Sequence, residues 1–138
     1  LIEKNKQVDH NLIPWVIYTE PEIAWVGMSE QAVKRAGVDY KRGLFPYAAT
    51  GRVLAAGTPA GSVKIISDAN TDRVMGVHIV GRSASELIGE AVTVVTFEVS
   101  TEDIAKTAHA HPTLSEALHE AALDVDNLAI HKVVPRKH

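Results

Sequence analysis

Two hydrophobic periods divide the chain. From residue 15 to residue 80 the apolar runs are short, rich in β-branched residues and punctuated by Pro, Gly, Asn and Asp. From residue 83 onward apolar residues recur every three or four positions. The first pattern predicts strands at 15–19, 23–26, 40–46, 62–67 and 74–80. Between the last two strands DANTDR supplies turn chemistry, so they should pair as an antiparallel hairpin. Trp15 and Trp25 read as sheet or core packing, and His78 as a packed strand residue. Ser29 and Glu30 open a short helix with Ala32, Val33 and Ala36 as its buried stripe and Gly37 as its C-cap. Residues 48–56 read as a turn or one helical turn.

The second pattern predicts three helices. Ser83 with Glu86 forms a capping box opening a helix through about Val99, whose apolar face is Leu87, Ile88, Ala91, Val92, Val95 and Val99. Several of these are β-branched, so packing rather than propensity must hold the helix. Ser100 and Asp103 start a second helix through about Ala108. Leu114, Ala117, Leu118, Ala121 and Ala122 share one face of a third. Strands, then a hairpin, then helices indicate an α+β fold: a mostly antiparallel sheet with helices packed on one face. A polar lead-in at 1–11 and a loose tail at 126–138 flank the domain at 12–125.

Composition narrows the function. The chain has 138 residues and is 46% hydrophobic, enough for one domain with a real core. A net charge of −3 gives no reason to expect nucleic acid. No apolar run is long enough to span a membrane. With no cysteine there is no disulfide, thiolate nucleophile or cysteine metal site. No G-x-G-x-x-G turn is present to hold a dinucleotide pyrophosphate.

The chemistry concentrates in HAHPTLSEALHEAAL, residues 109–123. Pro112 biases His111 towards extended backbone, and Thr113 fits an N-cap with Glu116 as its capping-box partner. Helical side chains lean towards the N-terminus, so the Glu116 carboxylate leans back towards His111. An imidazole backed by a carboxylate is a general-base arrangement. Two roles for Glu116 stand open: a cap on the Thr113 N–H, or an orienting group for His111. His109 and His111 could also share a metal, although no third ligand lies nearby in sequence. His119 falls on the polar, solvated side of the helix.

HAHPTLSE, preceded by EDIAKTA, resembles the C-terminal region of dihydrolipoyl dehydrogenases, which are FAD-dependent pyridine nucleotide–disulfide oxidoreductases. VIYTEPEIAWVG at 16–27, FPYAATGRVLAAG at 45–57 and GSVKIISDANTDRVMGVHIVG at 61–81 extend the resemblance, in the family's order, over roughly residues 12–125. It implies the family's dimerisation domain, following FAD and NAD domains that this chain lacks. By itself the chain should bind neither cofactor and perform no hydride transfer. The resemblance makes His111 the acid–base residue and Glu116 its orienting partner, both reaching the active site of the other subunit of a homodimer. His111 and Pro112 would lie near that subunit's FAD. It further implies cis bonds at His111–Pro112 and Glu20–Pro21, a lipoyl domain of a 2-oxo acid dehydrogenase complex as partner, and a cytoplasmic or mitochondrial-matrix location. Two alternatives accompany it: a stand-alone dimerisation module, or another disulfide reductase. Mercuric reductase-like enzymes carry C-terminal cysteines that are absent here. Glutathione reductase-like enzymes share the His-Pro-Thr and the Glu, but Leu114 and the upstream HAH favour the dihydrolipoyl type. Ala108 stands where a cysteine is common in the family, at a position without a catalytic role there.

Overall fold

The computed structural model describes residues 9–132. Five strands, β1 (Trp15–Ile17), β2 (Ile23–Gly27), β3 (Tyr40–Pro46), β4 (Gly61–Asp68) and β5 (Val74–Gly81), form one sheet in the order β1-β2-β5-β4-β3. Every neighbouring pair is antiparallel, as the strand pattern predicts. β4 and β5 form the expected hairpin. Asp68 Oδ1 accepts from the Asn70 and Thr71 N–H groups, so the DANTDR turn is held by its own first residue.

Alternation along the strands gives the sheet two different faces. Val63, Ile65, Val77 and Ile79 are fully or almost fully buried beneath α3 (Ala84–Thr96) and α5 (Glu116–Val125). α4 (Thr101–Lys106) packs on α5. Lys64 and Arg42 point the other way, where Glu30 at the start of α1 (Glu30–Ala36) pairs with both. The Glu30 carboxyl is held down to about 2, first by the Tyr40 hydroxyl at 2.8 Å and then by Lys34. On that face Trp15 and Trp25 stand opposite each other in register and stack with ring centroids 6.2 Å apart. They are therefore sheet packing, but Trp15 remains largely exposed rather than joining the core.

Local signals succeed where their partners are local. Ser29 accepts from the Ala32 N–H, Gly37 closes α1 in the left-handed region, and Ser100 with Asp103 forms a complete capping box on α4. The same pattern fails at α3. Ser83 adopts a left-handed conformation and makes no side-chain cap; Glu22, far away in sequence, accepts the Ser85 N–H instead. That bond lowers the Glu22 pKa. α3 also ends at Thr96 rather than Val99, because Glu98 turns to positive φ. In α1 only Val33 of the expected stripe is buried; Ala36 is exposed. Residues 47–56 resolve into a 3-10 turn, Tyr47–Ala49, followed by the short helix α2 (Gly51–Ala56).

The segment after α5 folds back across it as far as Lys132, whose ammonium reaches Asp124 at 2.6 Å and the Leu44 carbonyl at 2.7 Å. The loose tail expected there does not hold for residues 126–132; residues 133–138, like residues 1–8 of the lead-in, lie outside the described part.

Candidate acid–base site

α5 lies close against β3 because Gly43 has no side chain. A Cβ there would collide with the Ala121 carbonyl and approach the Val125 nitrogen to 2.8 Å. This contact fixes the helix that carries Glu116. The peptide bonds His111–Pro112 and Glu20–Pro21 are both cis, as expected.

The helix begins later than the capping pattern implies. Its N-cap is Ser115, not Thr113, so Glu116 is the first helical residue rather than the third. The reach-back nevertheless occurs. Glu116 Oε2 accepts the Thr113 N–H at 2.8 Å while Oε1 meets His111 Nδ1 at 2.7 Å. A carboxylate has two oxygens, and here the two expected roles divide between them. Thr113 turns its hydroxyl to the Ala110 carbonyl, 2.7 Å away, bracing the loop from within.

The two members differ in exposure. The His111 side chain is 73% exposed and that of Glu116 20%. Burial works against ionisation of Glu116, but the Thr113 N–H and the His111 ring outweigh it and hold its pKa below the ordinary carboxylate value. With Nδ1 committed to a carboxylate, the tautomer is fixed and Nε2 is the nitrogen presented outward. Such a pair can accept a proton at Nε2 and stabilise the resulting imidazolium.

His109 does something else. Its Nε2 meets Glu90 Oε1 at 2.8 Å and its Nδ1 the Thr107 carbonyl at 3.0 Å, so both nitrogens are used. No cluster of three His, Asp or Glu suited to a metal occurs among the described residues. His119 is not solvated as its helical position suggests. Its Nε2 lies 3.0 Å from the Ala105 carbonyl and its ring packs against His109, with centroids 5.2 Å apart.

Three residues of this region escape the sequence reading: Glu120, Asp124 and His131. Glu120 is buried and accepts from the Ile130 N–H and from His131, while Asp124 accepts the Leu44 N–H. The available signal is the spacing Glu116, Glu120, Asp124, which sets three acids one above another on the helix.

An α+β domain carrying an outward-facing imidazole–carboxylate pair on a cis-proline loop defines the class of module. The chain belongs to the pyridine nucleotide-disulphide oxidoreductase dimerisation domain family, whose model matches residues 13–122. It is 52% identical over 119 residues to the dihydrolipoyl dehydrogenase of Cupriavidus necator, covering 86% of this chain and 25% of that protein. It is 50% identical over 116 residues to the mitochondrial dihydrolipoyl dehydrogenase of Homo sapiens, covering 84% and 23%. Among solved structures it superposes on LpdA from Mycobacterium tuberculosis with a TM-score of 0.82 at 28% identity, covering 87% of this chain and 26% of that one. The HOCl-induced flavoprotein disulfide reductase RclA from Escherichia coli shares the fold, with a TM-score of 0.80 at 24% identity over 88% of this chain and 28% of that one. The chain thus spans about a quarter of the length of the curated relatives it matches. No helix among the described residues is long and apolar enough to cross a membrane.

Proposed function

We propose that this chain is the dimerisation domain of a dihydrolipoyl dehydrogenase, a homodimer that uses FAD and NAD to oxidise dihydrolipoamide on the lipoyl domain of a 2-oxo acid dehydrogenase complex. In this reading residues 12–125 form the domain, and the enzyme works in the cytoplasm or the mitochondrial matrix. The described residues hold no glycine-rich strand–helix turn that could cradle a pyrophosphate, so both cofactors would be bound by other parts of the enzyme. The exposed large apolar side chains Trp15, Tyr18, Phe97, Leu128 and Ile130 support contact with other protein.

His111 would serve the partner subunit's active site, lying with Pro112 near that subunit's flavin. Its Nε2 takes the proton of the dithiol as the thiolate forms. Glu116 keeps the ring in the required tautomer and stabilises its charge. The observation that carries this reading is the 2.7 Å contact between His111 Nδ1 and a carboxylate whose other oxygen is held by the Thr113 N–H.

The test is His111→Gln in the flavin-loaded full-length dimer. Turnover of dihydrolipoamide should fall about 10²-fold or more, the scale for loss of a general base. Near-normal turnover would refute the assignment. Sedimentation tests the association separately: two copies should meet through an isologous contact burying more than about 1,000 Å².

A further inference from the structure

Beside the His111–Glu116 pair lies a recess of about 30 Å³. It is lined by Thr50 with uncharged neighbours and, among the described residues, by His111, Glu116, Glu120 and His131. These four are its titratable groups. A second imidazole–carboxylate pair, His131–Glu120, thus opens onto the same space as the first, one helical turn further along α5.

Thr50 gives the recess a chemical identity. The residue is only 5% exposed, its hydroxyl is buried, and no group among the described residues bonds to Oγ1. Although it is the N-cap of α2, its side chain makes no capping bond. A buried hydroxyl without a partner costs about 1–3 kcal/mol, so such groups are normally satisfied by water when protein does not serve them. A water needs roughly 10–15 Å³ of such space and two to four polar partners. The recess has room for one water, and Thr50, Glu116 and Glu120 all line it.

We propose that the recess holds one ordered water, which accepts the Thr50 hydroxyl and donates to the carboxylates of Glu116 and Glu120, joining the two pairs into one hydrogen-bonded network. The donors and acceptors balance. Water contributes two O–H groups and one accepting lone pair to these three partners. Each oxygen of Glu116 already takes one bond and has capacity for another. Glu120 Oε2 takes the Ile130 and His131 N–H groups, which leaves Oε1, bonded to the His131 ring, to receive the water. Thr50 and Glu120 are then positioning residues: they hold the carboxylate that holds His111. The proposal rests on the acid–base reading above and adds to it Thr50, far from that motif in sequence, and Glu120, to which that reading gives no role.

The experiment is a crystal structure of the flavin-loaded full-length enzyme at a resolution that shows waters, together with pH–rate profiles of Thr50→Val, Thr50→Ser and Glu120→Gln. Density should place a water at hydrogen-bond distance from Thr50 Oγ1 in the wild type and in Thr50→Ser, and none in Thr50→Val. Thr50→Val should lower kcat about two- to tenfold, the scale of one hydrogen bond. It should move the acid limb of kcat/KM to higher pH, because Glu116 loses a bond that favours its charged form. Glu120→Gln should move that limb the opposite way, because a neighbouring negative charge is gone. Thr50→Ser should restore both readouts. A dry recess in the wild type overturns the proposal, and so does Thr50→Val with an unshifted profile. The density is read independently of turnover, so a fully active His111→Gln enzyme would sink the acid–base reading without deciding whether the water is there.

Discussion

His109 and His111 are separated by one residue, each faces a glutamate, and they end in opposite conditions. The His109 side chain is 8% exposed with both ring nitrogens occupied; that of His111 is 73% exposed with one occupied. The His109 ring, so engaged, ties α3 to the loop after α4 but has no nitrogen left for a substrate. His111 keeps the orienting carboxylate and leaves the other nitrogen outward. In the proposed reading, a proton-transferring histidine differs from a structural one in what it leaves unbonded. A carboxylate partner alone does not distinguish them.

The sharpest way to break the comparison is to neutralise each carboxylate in turn. Glu116→Gln should reduce turnover of the full enzyme by less than His111→Gln but by clearly more than a few-fold. Glu90→Gln should leave turnover within a few-fold of wild type. Steady-state kinetics of the two variants, each with its flavin content checked, decides the matter, and equal losses would erase the distinction. Loss of a cap alone changes stability by about 1 kcal/mol and leaves the chemistry of folded enzyme alone.

Next in size is stability. His109→Gln should destabilise the chain by about 1–2 kcal/mol, because Gln cannot serve Glu90 and the Thr107 carbonyl together. His111→Gln, at an exposed ring, should change it by less than about 0.5 kcal/mol. Urea unfolding of both variants measures the difference. A destabilisation by His111→Gln as large as that by His109→Gln would show that the exposed ring, too, is structural.

What could be read from the sequence follows the same line between local and distant partners. The β-branched runs of β4 and β5, the DANTDR turn and the Ser100–Asp103 box are legible because each is stabilised by residues a few positions apart. His111 and Glu116 are legible for that reason, five positions apart across a helix start. The Ser83 cap misleads because Glu22, 63 positions away from Ser85, takes over its work. The Glu90 partner of His109 lies 19 positions back, and nothing in the spacing announces it. Glu120 and Asp124 carry no sequence signal beyond their spacing from Glu116. They are buried because Gly43 brings α5 down onto β3 and residues 130–132 return across it. The resemblance to a known family named the fold and the motif, but not this second layer of buried acids.

A third histidine gives the smallest effect and marks the far end of the comparison. His78 stands on the central strand β5, between Trp25 and Lys64 in register, with Nδ1 buried and unbonded among the described residues. Burial first, and then the Lys64 charge, push its pKa down to about 4. In the unfolded chain it should titrate near about 6.5. Between those values the unfolded chain binds a proton that the folded chain refuses, so stability falls as pH drops through about 6.5 and goes on falling to about 4. His78→Val removes the titrating group and suits a strand, so it should flatten the dependence of unfolding free energy on pH across that window. Glu30 acts in a different window. Its lowered pKa gives stability that is present above its ordinary value of 4.5 and is lost as pH falls to about 2. Urea titrations of wild type and His78→Val at several pH values from 7 to 4.5 therefore isolate the histidine. Parallel curves for the two proteins over that range would mean that His78 already accepts its proton in the folded state. Its place as the ring that stays neutral in the folded chain down to about pH 4 would then be lost.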